Sequence, residues 1–96
     1  MSEKFIDFDP AEMLKSDEAL EVYLEDAFES EDAAFIANAI GVVARARGMT
    51  QVARETGLSR EHLYRSLSDS GNPTLETTLA VLKAIGFQLT SKHRAA

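Results

Sequence analysis

The chain has 96 residues, of which 45% are hydrophobic, enough for one real core and too many for a disordered tail. It has no cysteine, which excludes disulfides, thiolate chemistry and cysteine-ligated zinc, and its two histidines, His62 and His93, lie far apart. The net charge of −6 is unevenly spread: residues 1–35 hold twelve acids against two lysines, residues 36–96 four acids against eight Lys/Arg.

In chain order, Asp9-Pro10-Ala11-Glu12 has the makings of a helix start, with a capping aspartate, a proline at the first helical position and a glutamate placed to reach back. That helix runs to about Lys15, and Phe5, Ile6 and Phe8 precede it as an extended, core-packed segment. From Ser16 the pattern is helical again, with Leu20, Tyr23, Leu24, Ala27 and Phe28 recurring at threes and fours between acids. A polar break at Glu29–Asp32 precedes a helix from about Asp32 to Arg47, with Ile36, Ala39, Ile40 and Val43 as its stripe. Gly41 is a mid-helix glycine that permits close packing, Arg45 and Arg47 suit the last turn, and Gly48 stops the helix.

Three shorter elements follow. Thr50–Thr56 predicts two helical turns ending at Gly57, and Ser59 caps a helix over Arg60–Leu67. Ser68 to Pro73 is turn-rich. Thr74 caps a last helix through Ile85, with Leu75, Leu79, Leu82 and Ile85 along one face and Gly86 as its stop. Phe87–Thr90 alternates and suits a short strand, and the tail from Ser91 should fray. The fold expected is all-α, a small bundle of about five helices with that one short C-terminal strand as an option. Residues 1–96 read as one domain: an acidic helical part (1–35) suited to a partner, a core (36–90) and a tail (91–96).

Residues 49–68 have the spacing of a DNA-binding helix-turn-helix. Ala53 is the small residue where two short helices cross, Gly57 the left-handed turn, and Leu63 the apolar residue that buries the second helix. Val52, Leu58 and Leu67 complete a buried set. Five arginines, Arg45, Arg47, Arg54, Arg60 and Arg65, fall within one 21-residue stretch, and nucleic-acid binding depends on where positive charge collects. The outward residues of the second helix are Arg60, Glu61, Tyr64 and Arg65. Arginine reads guanine bidentately, and glutamate accepts from cytosine or orients an arginine. Tyr64 suits either a DNA contact or packing. Thr50, Gln51, Arg54, Ser59, Asn72 and Thr74 are placed for phosphate. Short helices joined by glycine turns also occur in ordinary bundles, where Arg and Glu are simply a solvated surface.

The strings ARETGLSRE, LYRSLS and GNPTLETTL, with EALEVYLEDAF upstream, resemble over nearly the whole chain the antidote proteins of addiction modules related to the HigA type. These are built on a Cro/CI-like, lambda-repressor-like helix-turn-helix. The resemblance implies an antitoxin that neutralises a small basic toxin of the RelE/ParE-like superfamily and binds double-stranded operator DNA as a homodimer to repress its own operon. Glu18, Glu21, Tyr23, Glu25, Asp26, Glu29 and Glu31 then become candidates for holding the toxin, with Phe5 and Phe8 as further anchors. The bland reading of the same acids is a solvated face. Many class members place a glutamine three residues before the Leu-Ala pair of the front helix; here Met49 stands three before Val52, so Gln51 does not inherit that bracing position.

Leu82, Phe87 and Leu89 are candidate dimer residues. A helical protein-binding module, or a stand-alone regulator without a toxin, is the alternative. No catalytic arrangement, metal site or cofactor is expected. No apolar run approaches the ~20 residues of a membrane span, and MSEKFIDFDP is no secretory signal, so a cytoplasmic protein is expected.

Overall fold

Residues 33–47 carry too many apolar side chains for a helix with one wet face, and that surplus organises the fold. The computed structural model describes residues 16–95. Within them lie five helices, α1 (Asp17–Glu29), α2 (Ala33–Arg47), α3 (Met49–Thr56), α4 (Arg60–Ser66) and α5 (Leu75–Ala84). The expected helix at Asp9–Lys15, and Phe5 and Phe8, lie outside the described residues. In α2, Ala37 and every residue from Ala39 to Ala44 are buried, so the helix is covered on more than one side. Helix α1 packs against α2 alone among the described helices, while α3, α4 and α5 pack on α2 and, through α3, on one another.

Local chemistry sets the boundaries. Ser16 caps α1, its Oγ accepting from the Ala19 N–H at 3.1 Å, and Leu20, Leu24 and Ala27 form the buried stripe. At the end of α1 the Ser30 hydroxyl donates to the Ala27 carbonyl at 2.6 Å, and Glu31 turns the chain with a positive φ of 57°. Asp32 caps α2, accepting from the N–H groups of Ala34 and Phe35 at 3.1 and 3.3 Å. The break expected at Glu29–Asp32 is therefore a tight αα-turn. At the other end of this hairpin, Arg47 Nη2 lies 3.1 Å from Asp17 Oδ1.

Helix α3 begins at Met49, one residue earlier than expected, because the Gly48 carbonyl accepts from the Val52 N–H at 3.1 Å and buried Met49 anchors the first turn. The Thr56 hydroxyl donates to the Val52 carbonyl and accepts from the Leu58 N–H. Gly57 takes the left-handed conformation, φ 77° and ψ 8°, where a side chain would be strained. Ser59 Oγ then accepts from the His62 N–H at 3.0 Å and opens α4, which ends at Ser66 rather than Leu67; Leu67 is its cap. Leu63 is fully buried and Leu67 nearly so. Gly41 is where α2 meets the end of α4: a Cβ there would stand 2.2 Å from the Leu67 carbonyl oxygen. Glycine at mid-helix costs about 1 kcal/mol relative to alanine, so its presence reflects this approach.

Three expectations about the C-terminal region need correction. Along α5, Val81, Leu82 and Ile85 face inward, but Leu75 and Leu79 are 67% and 45% exposed. Leu79 falls outside the arc centred on Val81 and Ile85, and Leu75 sits in the uncovered first turn. Phe87–Thr90 forms no strand. Instead the Phe87 N–H donates to the Leu82 carbonyl at 2.8 Å and the Gly86 N–H to the Lys83 carbonyl at 3.1 Å, a Schellman closure with half-buried Phe87 as its apolar contact. Leu82, at 2% exposure, belongs to the core and is removed from the candidate dimer surface.

Leu63→Ala should cost about 2–5 kcal/mol of stability and Ser59→Ala about 1 kcal/mol, measured by urea unfolding. A Leu63→Ala loss smaller than that of Ser59→Ala would contradict the packing described.

Candidate functional site

The α3–turn–α4 unit turns its side chains two ways. Val52, Leu63 and Leu67 point into the core, with Ala53 and Leu58 packed at its margin. On α4 the positions 60, 61, 64 and 65 share the opposite face, and Arg60, Glu61, Tyr64 and Arg65 are all exposed there. The Arg60 guanidinium lies over the Tyr64 ring, 5.9 Å from its centroid, and Arg65 Nη1 is 4.0 Å from Glu61 Oε2. Tyr64 is thus a surface residue at 44% exposure and not part of the buried core. His62 works through its backbone, its carbonyl accepting from the Ser66 hydroxyl at 2.9 Å.

On α3, Thr50, Gln51 and Arg54 are exposed. Gln51 Nε2 donates to Glu55 Oε2 at 2.8 Å, so it braces its own helix. Arg54 makes no ion pair among the described residues. The Ser59 and Thr74 hydroxyls are engaged as helix caps, Thr74 Oγ1 accepting from the Thr77 N–H at 3.0 Å, and Asn72 is exposed in the loop. Arg47, counted in the arginine cluster from its position in the chain, pairs instead with Asp17.

The acids of α1 form a second surface. Glu18, Glu21, Glu25, Asp26 and Glu29 are exposed and make no ion pair among the described residues. Glu31 accepts from Arg94 Nη2 at 2.6 Å, and Tyr23 is half-buried against the core. Two exposed apolar residues escaped the sequence reading: Val22, among these acids on α1, at 55% and Phe35, on α2, at 49%. Val22 was readable: it lies four residues from both Glu18 and Asp26, out of phase with the Leu20–Leu24–Ala27 stripe. Phe35 was not, standing four residues before Ala39 and eight before Val43, in line with the α2 stripe. Among the described residues no three His, Asp or Glu side chains gather as metal ligands, and no helix is long and apolar enough to cross a membrane.

This is a small helical protein with an acidic surface on its first described helix and an arginine-bearing surface on a short helix of the opposite half. Residues 4–93 match the family described as "Probable addiction module antidote protein", and the chain belongs to that family. An "Uncharacterized protein" of Haemophilus influenzae is 46% identical over 88 residues, 92% of this chain and 91% of its own. No solved structure matches. An antidote acts against a toxin, so membership implies a toxin partner.

The outward α4 side chains contribute little to the fold. The Glu61–Arg65 pair is exposed on both sides, so Glu61→Gln should change unfolding free energy by no more than about 0.5 kcal/mol. A larger loss in urea titration would show that this face is structural.

Proposed function

We propose that this chain is the antitoxin of a type II toxin–antitoxin module, of the HigA-related kind. Its α3–α4 unit acts as a Cro/CI-like helix-turn-helix that represses the module's operon, and its acidic α1 binds a small basic toxin of RelE/ParE type. The observation that carries the DNA-binding part is the exposed α4 face, where two arginines and a tyrosine stand clear of a helix anchored from behind by Leu63. A helix so presented enters the major groove, where Arg60 and Arg65 reach guanine edges. Glu61, within 4.0 Å of Arg65, orients it or accepts from cytosine. Tyr64 supports Arg60 by stacking on it.

Among the phosphate candidates Arg54 has the strongest case, being the one exposed α3 cation. Thr50 and Asn72 supply neutral donors beside it, while Gln51, Ser59 and Thr74 contribute only by exchanging present hydrogen bonds or through backbone N–H groups. A homodimer fits a palindromic operator, with Leu75, Leu79 and Leu89 exposed and Phe87 half-buried in the C-terminal region. Residues 1–35 serve the toxin and 36–90 the operator within one domain, and the protein works in the cytoplasm, where both partners are. The charge split supports toxin capture on α1: unpaired acids steer a basic partner, and Val22 among them offers an apolar anchor.

Binding to the DNA upstream of the gene, measured at fixed salt, should exceed binding to random duplex. Arg60→Ala should weaken it by about 1–3 kcal/mol and relax preference at one base position. Arg54→Ala should weaken all sequences alike and flatten the salt dependence by about one ion. Equal affinity for operator and random duplex would reject the repressor role and leave a protein-binding module.

A basic protein encoded beside the gene should co-purify with the chain. Reversing Glu21, Glu25 and Glu29 to lysine should abolish that complex at physiological salt while the operator affinity is retained. Retention of the toxin by this triple variant would place its site elsewhere.

A further inference from the structure

We propose that Gly41 is a positioning residue for the DNA-reading helix: by lacking a side chain it lets α2 set where α4 lies. This rests on the repressor reading above. A Cβ at Gly41 would lie 2.2 Å from the Leu67 carbonyl oxygen, 3.1 Å from the Leu67 Cβ and 3.3 Å from its carbonyl carbon. The nearest obstacle is backbone, which has no alternative rotamer to adopt. Leu67 is also the cap of α4, its N–H bonded to the Leu63 carbonyl at 2.9 Å, and both leucines are buried. An added methyl group therefore moves the helix end as a unit.

Helix α2 is the less free of the two. It is buried along Ala39–Ala44 and tied to α1 through Arg47 and Asp17, whereas the outer face of α4 is open to solvent. Opening the contact to an ordinary carbon–oxygen separation requires a displacement of about 1 Å. That shift is largest at the Leu67 end, so of the reading side chains Arg65 moves more than Arg60, and a bidentate base contact depends on donor distance and angle. Among the described helices α1 touches only α2, so its acidic face keeps its shape. The glycine thus separates the two proposed activities: filling it damages operator reading and spares toxin capture.

The test is Gly41→Ala in the full chain, studied well below its unfolding midpoint. Operator affinity should fall by about ten-fold or more, with preference lost first at the base that Arg65→Ala also relaxes. Affinity for the co-purifying toxin should stay within about two-fold of the unsubstituted chain, and hydrogen exchange should quicken at the Leu63 and Leu67 amides but not along α1. Leu24→Ala, a cavity between α1 and α2, controls for lost stability and should leave operator affinity in place. The proposal is overturned if Gly41→Ala binds operator normally, if it loses toxin affinity as much as operator affinity, or if Leu24→Ala loses as much operator affinity. An unsubstituted chain without operator preference refutes the repressor reading instead, and the exchange data alone then decide whether Gly41 sets the place of α4.

Discussion

The burial of α2 on several sides is the constraint on which the other elements depend. Six consecutive residues, Ala39 to Ala44, are withdrawn from water, and a helix withdrawn on that scale needs covering from more than one direction. Helix α1 covers one side and the α3–α5 group another. Because α1 spends Leu20, Leu24 and Ala27 on this single contact, its remaining faces are free to be acidic. Because α3, α4 and α5 share the other side, each can be short. The small residues of α2 set the spacing: alanine at 37, 39 and 44 and glycine at 41 let the flanking helices come close, and at Gly41 the approach reaches backbone.

Net charge misleads for this chain because its charges are segregated in space as well as in sequence. Five exposed acids without an ion pair among the described residues sit on α1, whereas Arg54, Arg60 and Arg65 sit on α3 and α4, which α1 does not touch. Each surface therefore presents its own local field, and over a Debye length of about 8 Å at physiological salt the two are largely screened from each other. An acidic protein with a locally cationic helix meets no contradiction. On the proposed function the polyanionic partner meets the arginines and the basic one the acids, so neither surface has to serve both.

Much of this was legible because the signals were local. Ser16, Asp32, Ser59 and Thr74 cap the helices they were expected to open, and Gly57 takes the left-handed conformation its position demanded. Leu63 is as buried as its spacing required. What escaped depends on residues distant in the chain. The Arg47–Asp17 pair joins positions thirty residues apart, so Arg47 looked like one more member of a basic cluster. The periodicity of Leu75, Leu79 and Leu82 marks an apolar face but not where the cover ends. Phe87–Thr90 alternates like a strand, yet a strand needs a neighbour to bond, and the Leu82 carbonyl claimed the Phe87 N–H first. Gly41 was readable as a site of close packing, while its partner, Leu67, was not.

The two surfaces also differ in how they are held. A seven-residue helix such as α4 would not persist alone in water. It exists here because Ser59 caps one end, Leu63 and Leu67 bury its inner face, and α2 backs its last turn at Gly41. All of that ordering is completed during folding, so Arg60, Tyr64 and Arg65 meet a ligand already arranged, and binding there loses little further backbone entropy. Helix α1 is longer and, among the described helices, rests on one neighbour; the Ser16 cap and the Asp17–Arg47 pair hold its start and the Ser30 hydroxyl its end. Local opening free energy follows buried contact, and with Leu20, Leu24 and Ala27 buried α1 is held by packing as α4 is.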